Sequence, residues 1–151
     1  MSQLCIVPCG KMKIWDKCPE AGPTAAKDVY IGTFAKKCRE YAQKYHPTSW
    51  SITSAKYGFL FPNEIIPCTY NTTFNDKRTN PISIERLSRQ VKDKKLDKYE
   101  TIVVLGGKKY VEIIQKVFRG KEIINLLKGC QGIGCMLQRL KRSIESGIPL
   151  V

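Results

Sequence analysis

Histidine is almost missing from this chain: one residue in 151, His46. It stands beside Pro47 at the end of a helical stretch, where it either favours the negative helix terminus or is solvated. A Ser–His–Asp or Cys–His arrangement therefore has no convincing base. Carboxylates are also scarce, with 13 Asp and Glu against 26 Lys and Arg, a net charge of +13 and a pI near 9.5. Such an excess attracts polyanions and speeds encounter with them. The lysines are spread along the chain with no single basic tail, so a solvated lysine-rich surface accounts for the same numbers.

No stretch approaches the ~20 consecutive apolar residues of a membrane span. The opening MSQLCIVPCGK has no basic start and no long apolar region, so it reads as a first strand and not as a signal peptide. Seven cysteines without an export signal predict reduced thiols in a cytoplasmic protein. No C-x-x-C pair occurs among them, which weakens a zinc reading, and no metal or cofactor is expected. LGGKKY does not match the P-loop, and GCQGIG does not match G-x-G-x-x-G. Repeats, low-complexity tracts and long linkers are lacking too.

What is present is the composition of an ordinary folded domain, 42% apolar. One domain over residues 1–151 is expected. Short apolar strands are predicted at 4–9, 49–54, 101–107 and 122–127. Helical periodicity marks 28–46, with Asp28 as cap and Pro47 as stop, then 82–99, 108–120 and 133–147. Strands alternating with helices predict a single three-layer α/β domain with a mainly parallel sheet and helices on both faces. Residues 60–81, with three prolines, form a long irregular excursion, uncommon unless it serves a site.

All four strands end in unusual junctions: Pro8-Cys9-Gly10-Lys11, Ser54-Ala55-Lys56-Tyr57-Gly58, Gly106-Gly107-Lys108-Lys109-Tyr110 and Gly129 to Gly134. In open α/β sheets ligands sit outside the carboxyl ends of the strands, so parallel strands put these junctions on one rim. Glycine lets the backbone approach a ligand and helix starts offer N–H groups to an anion. Lys11, Lys56, Gly106, Gly107, Gly132 and Gly134 are candidates on that ground, although a tight turn alone explains a glycine pair. Glu64 is the carboxylate nearest in sequence to the Lys56 junction, a candidate general acid or base, or else a solvated loop residue. Tyr57, Tyr70 and Phe74 offer faces on which a base can stack. Cys9 lies beside Lys11 and Lys13, whose charge favours thiolate, and is expected to be the most reactive thiol; the alternative is a plain buried cysteine.

The chain resembles a family of small, largely uncharacterised microbial and phage proteins grouped as a domain of unknown function. The resemblance rests on Cys9-x-Lys11-x-Lys13, then Pro23, Ala26 and Tyr30, then Ser54-Ala55-Lys56-Tyr57-Gly58, Tyr70 and Thr73, and Gly132-Ile133-Gly134. It covers nearly the whole chain, with a more distant likeness to the YaaA peroxide-stress group and to base-releasing glycosylase folds. Asn71, where the family often has an acid, and Cys130, where glycine is expected, depart from the pattern. The resemblance implies the fold and the site location, Ser54 included, but no reaction.

The expectation is therefore an enzyme-like pocket for a nucleotide or nucleobase-bearing ligand, free or within DNA or RNA, with cleavage of an N-glycosidic bond as its most concrete form. In that scheme Glu64 handles the water or proton, Lys56 opposes charge on the departing group, and Tyr57 or Tyr70 stacks. The alternatives are a non-catalytic nucleic-acid-binding module and, third, a thiol-dependent stress protein built on Cys9. Lys56 is expected on the same edge as Lys11 and the Gly106-Gly107 turn.

Overall fold

The computed structural model describes residues 2–150. In chain order the elements are β1 (Gln3–Pro8), α1 (Ile14–Lys17), β2 (Thr24–Ala25), α2 (Ala26–Val29), α3 (Thr33–Tyr45), β3 (Trp50–Ser54), β4 (Gly58–Leu60) and β5 (Ile65–Ile66). After a 3-10 turn at Lys77–Thr79 come α4 (Ile84–Asp93), a second 3-10 turn (Leu96–Lys98), β6 (Thr101–Val104), α5 (Lys108–Val117), β7 (Glu122–Asn125) and α6 (Ile133–Ser146).

Five strands form one sheet in the order β4-β3-β1-β6-β7. All its neighbouring pairs are parallel except β3 with β4. Burial on both faces explains the unbroken apolar runs that made β1 and β6 legible. Alternation along them sends Cys5, Val7, Val103 and Leu105 to one face, where α3 and α6 supply Cys38, Tyr41, Ala42 and Leu140. Leu4, Ile6, Ile102 and Val104 face the other layer, with Leu87 and Val91 of α4 and Ile113, Ile114 and Val117 of α5. The expected α/β sandwich, mainly parallel with helices on both faces, is the observed one.

Three local features differ from the sequence expectation. The helix expected at 28–46 is interrupted: Tyr30 is extended and bridges Lys13, and α3 starts after Gly32. Asp28 therefore lies inside α2 and caps nothing there. The stretch at 82–99 ends its regular helix at Asp93, capped at its start by Ser83, whose hydroxyl accepts from the Arg86 N–H. The 60–81 excursion begins as the end of a hairpin, because β4 folds straight back on β3 with Ser54 opposite Gly58. Further on it contributes β5, which pairs with β2 as a separate antiparallel ribbon.

The hairpin turn answers to its neighbour. Gly58 has φ +77, a region that L side chains rarely adopt, and a Cβ there would collide with the Gln90 carboxamide. That carboxamide donates to the Tyr57 carbonyl at 2.9 Å and accepts from the Phe59 N–H at 2.8 Å. A side chain of α4 thus pins the turn that carries Lys56 and Tyr57.

Candidate functional site

The strand order reverses at β1. From β1 the chain passes to α3 on one face, and from β6 it passes to α5 on the other. A crevice is therefore expected at the carboxyl ends of β1 and β6. Two side chains meet at this position. The Tyr110 hydroxyl, from the first turn of α5, lies 2.8 Å from Cys9 Sγ and donates to the Cys9 carbonyl at 3.3 Å. Gly106 makes this approach feasible: a Cβ there would stand 3.1 Å from the Tyr110 Cβ.

Behind this pair lies a buried polar cluster. Tyr30 and Tyr70 share a hydrogen bond of 2.5 Å between hydroxyls, and Tyr70 meets Ser54 Oγ at 2.7 Å. Ser54 Oγ also accepts from the backbone N–H groups of Lys56 and Tyr57, at 3.2 and 3.1 Å. Ser54 is fully enclosed, so it shapes the Lys56 turn and holds Tyr70 in place. Burial pushes the Tyr70 phenol up to about 12 and raises those of Tyr30 and Tyr110 further. At neutral pH all three remain hydroxyls.

Lys13 is the exceptional member. Only 4% of it is exposed, yet among the described residues its ammonium has no carboxylate within salt-bridge distance. It donates to the Lys11 carbonyl at 3.2 Å and sits 4.4 Å from the centre of the Tyr70 ring. Desolvation lowers its pKa, with negative charge on Cys9, when ionised, and on Asp16 acting in the opposite sense. The exposed Lys56 ammonium approaches the same ring at 5.7 Å and the Tyr57 ring at 5.3 Å. Tyr57 and Tyr70 meet edge to face, with centroids 5.5 Å apart. Two cations converge on one aromatic ring, an arrangement that cation–π attraction supports but does not neutralise.

Of the two readings of Cys9, its surroundings favour the plain buried cysteine. Burial raises its pKa, outweighing the Tyr110 hydroxyl, the Ala55 N–H and the charge of Lys13, each of which acts to lower it. The neighbouring cation is present as foreseen, but enclosure of the thiol decides the sign. Cys9 is held as a thiol.

Glu64 is not brought to this rim. β4 runs from the carboxyl edge back to the amino edge, and Glu64 follows it. There its carboxylate accepts from Lys94 Nζ at 2.6 Å and from the Phe61 N–H at 2.9 Å. The pairing of Glu64 with Lys56 expected from sequence proximity is corrected by the hairpin, which carries the two to opposite edges. Lys11 lies on the rim with its side chain in solvent; only its carbonyl joins the cluster. Gly107 precedes α5, and Gly106 accommodates Tyr110. Gly132 and Gly134 open α6, where Gly134 lines an open groove with Thr33 and Lys37. The groove at Gly134 is lined by residues of α3 and α6, not by the tyrosine cluster.

Sequence reasoning passed over Lys13 and Tyr30 as site members, and over Tyr110. Lys13 and Tyr30 were both visible as motif positions, but their convergence depends on the bridge between them. Phe74, from the long excursion, packs edge to face on Tyr110 at 5.7 Å, so that loop does cover the site. Among the described residues no group of three or more His, Cys, Asp or Glu is placed to hold a metal ion.

The sequence profile of a family described as "Family of unknown function (DUF6884)" matches residues 4–142. The chain belongs to this family. The match spans Cys9, Lys13, Tyr30, Ser54, Lys56, Tyr70 and Tyr110, so the whole cluster lies inside the family's domain. A relative in Bacillus subtilis (strain 168), "Uncharacterized protein YfjM", is 40% identical over 146 residues, covering 96% of this chain and 97% of the relative. No solved structure matches the chain significantly.

Proposed function

We propose that the carboxyl rim binds a nucleotide, with its phosphate on Lys13 and Lys56 and its base against Tyr57. The observation that carries this is the pair of ammonium groups beside Tyr70, neither of which forms a salt bridge among the described residues. A buried cation without a partner is costly, and an anion arriving from solvent supplies the missing charge. Lysine suits this duty as a compact point charge, and charge-assisted contacts to phosphate are strong. Tyr57, half-buried at the rim beside Lys56, provides an aromatic face of the kind on which bases stack. The reading is of a binding site. Glu64, the carboxylate that an N-glycosidic cleavage would have used, is held by Lys94 at the other edge.

The test compares nucleoside mono- and diphosphates with the same nucleosides lacking phosphate, by equilibrium binding to the full chain. Phosphate-bearing ligands are expected to bind more tightly and to lose affinity with salt. Equal binding of the bare nucleosides would contradict the assignment of the two lysines.

A second reading, a nucleotide within a nucleic acid, is favoured by an open groove between α4 and α5 of about 670 Å³. Arg89, Lys92, Lys116, Arg119 and Lys121 line it, against two acids, Glu85 and Asp97. A cationic track of this kind suits a phosphodiester backbone.

A further inference from the structure

The turn that leads into α6 holds two cysteines whose roles the nucleotide site does not absorb. Cys130 follows the end of β7 and Cys135 stands in the first turn of α6. Their sulfur atoms are 2.7 Å apart, and both are free thiols, Cys135 exposed and Cys130 partly so. We propose that Cys130 and Cys135 form a thiol–disulfide site that a low-molecular-weight disulfide oxidises to an intramolecular bond.

Three features support closure. The sulfurs are already in contact, so a bond of ~2.05 Å requires only a small further approach. The turn between them has room to adjust, since a Cβ built on Gly132 or Gly134 would meet nothing within 4 Å. The frame on either side is anchored: Arg139 donates to the Lys128 carbonyl at 2.7 Å and the Leu126 carbonyl at 3.4 Å. The Arg139 guanidinium also lowers the Cys130 pKa, although burial and the Cys135 thiol together leave it raised. The remaining free thiols lack this geometry. Cys5 and Cys38 are buried, Cys9 is engaged by Tyr110, and Cys18 bonds Glu20.

The chemistry is ordinary exchange. The Cys135 thiol loses its proton to solvent and its sulfur attacks one sulfur of the small disulfide. A mixed disulfide forms and one small thiolate leaves. Cys130, deprotonated in turn, attacks the Cys135 sulfur and expels the second small thiolate. Both departing thiolates take up protons. The protein loses two hydrogens and two electrons, and the small disulfide gains them as two thiols.

The test incubates the fully reduced chain with 2-hydroxyethyl disulfide, quenches with acid, alkylates the remaining thiols and maps tryptic peptides. Cleavage after Lys128 and Arg139 leaves both cysteines on residues 129–139. That peptide is expected to be lighter by two hydrogens, to carry neither alkyl group nor adduct, and to regain both thiols on reduction. Cys68, exposed and alone, serves as the internal control and retains a mixed adduct. Cys130→Ser should trap the mixed adduct on Cys135. Two separate adducts, or two alkyl groups, on the wild-type peptide after Cys68 has reacted would overturn the proposal. So would Cys130→Ser leaving Cys135 free of adduct.

Discussion

Lys13 carries the account at the scale of single residues. An isolated lysine is ordinarily a surface residue, and the sequence offers no local reason to bury one after Met12. Its enclosure follows from the bridge to Tyr30 and the ring of Tyr70, contacts made by residues 17 and 57 positions further on. Replacing a buried, unpaired charge with an apolar side chain of similar length removes a desolvation cost. Lys13→Met is therefore expected to leave the thermal midpoint unchanged or raise it, while weakening anion binding. Thermal unfolding in parallel with binding checks this. A large loss of stability would show that the ammonium supports the fold. The pH dependence follows the same group. Its pKa lies below the ordinary 10.5, so its charge is lost before that of an exposed lysine as pH rises. Anion affinity should begin to fall below pH 10.5, and Lys13→Met should remove that part of the profile.

Cys9 gives a second residue-scale prediction. Because burial outweighs the nearby cation, its thiolate fraction at neutral pH is small. Timed alkylation with peptide mapping should label the exposed Cys68 and Cys135 before Cys9. Labelling of Cys9 as fast as Cys68 would restore the activated-thiol reading.

Elements show what a sequence makes legible. The parallel strands β1 and β6 were readable because burial on both faces demands unbroken apolar runs. Their carboxyl ends were readable because charged and glycine-rich junctions stop those runs abruptly. Lys56, Lys11 and the Gly106-Gly107 turn do share that rim. β4 was not readable: it has three residues, and its register depends on Gln90, thirty-odd positions away on α4. That hairpin is also why Glu64 was misplaced, since proximity in sequence to Lys56 becomes separation across the sheet. The break between α2 and α3 was hidden for a related reason. Local periodicity continues through Tyr30, and only the pairing with Lys13 pulls it out of the helix. Gln90→Ala should test the hairpin's dependence on α4. Losing both bonds leaves a half-buried Phe59 N–H unpaired, at a cost of about 1–3 kcal/mol. Denaturant unfolding reads that cost, and no change in the midpoint would show that the turn holds itself.

For the whole molecule, charge and topology enter the proposal separately. On the proposed reading, the +13 net charge favours encounter with polyanions, and the reversal of strand order at β1 marks where one would bind. Among the described residues no helix is long and apolar enough to cross a membrane. If the groove between α4 and α5 extends the site to nucleic acid, oligonucleotide affinity should fall steeply with salt. Replacing Lys116 and Lys121 with glutamine should flatten that slope without altering mononucleotide binding. An unchanged slope would confine binding to the rim.

The central claim is that Lys13 is an anion-binding cation, and calorimetric titration of a nucleoside diphosphate into wild type and Lys13→Met tests it most directly. Hydrogen bonds to charged groups contribute about 1.5–3 kcal/mol, equivalent to roughly ten- to a hundredfold in affinity. Saturable binding by the wild type at low ionic strength, weakened at least about tenfold in a folded Lys13→Met, is the predicted result. Wild-type affinity in Lys13→Met, or no binding by the wild type at low ionic strength, would contradict it.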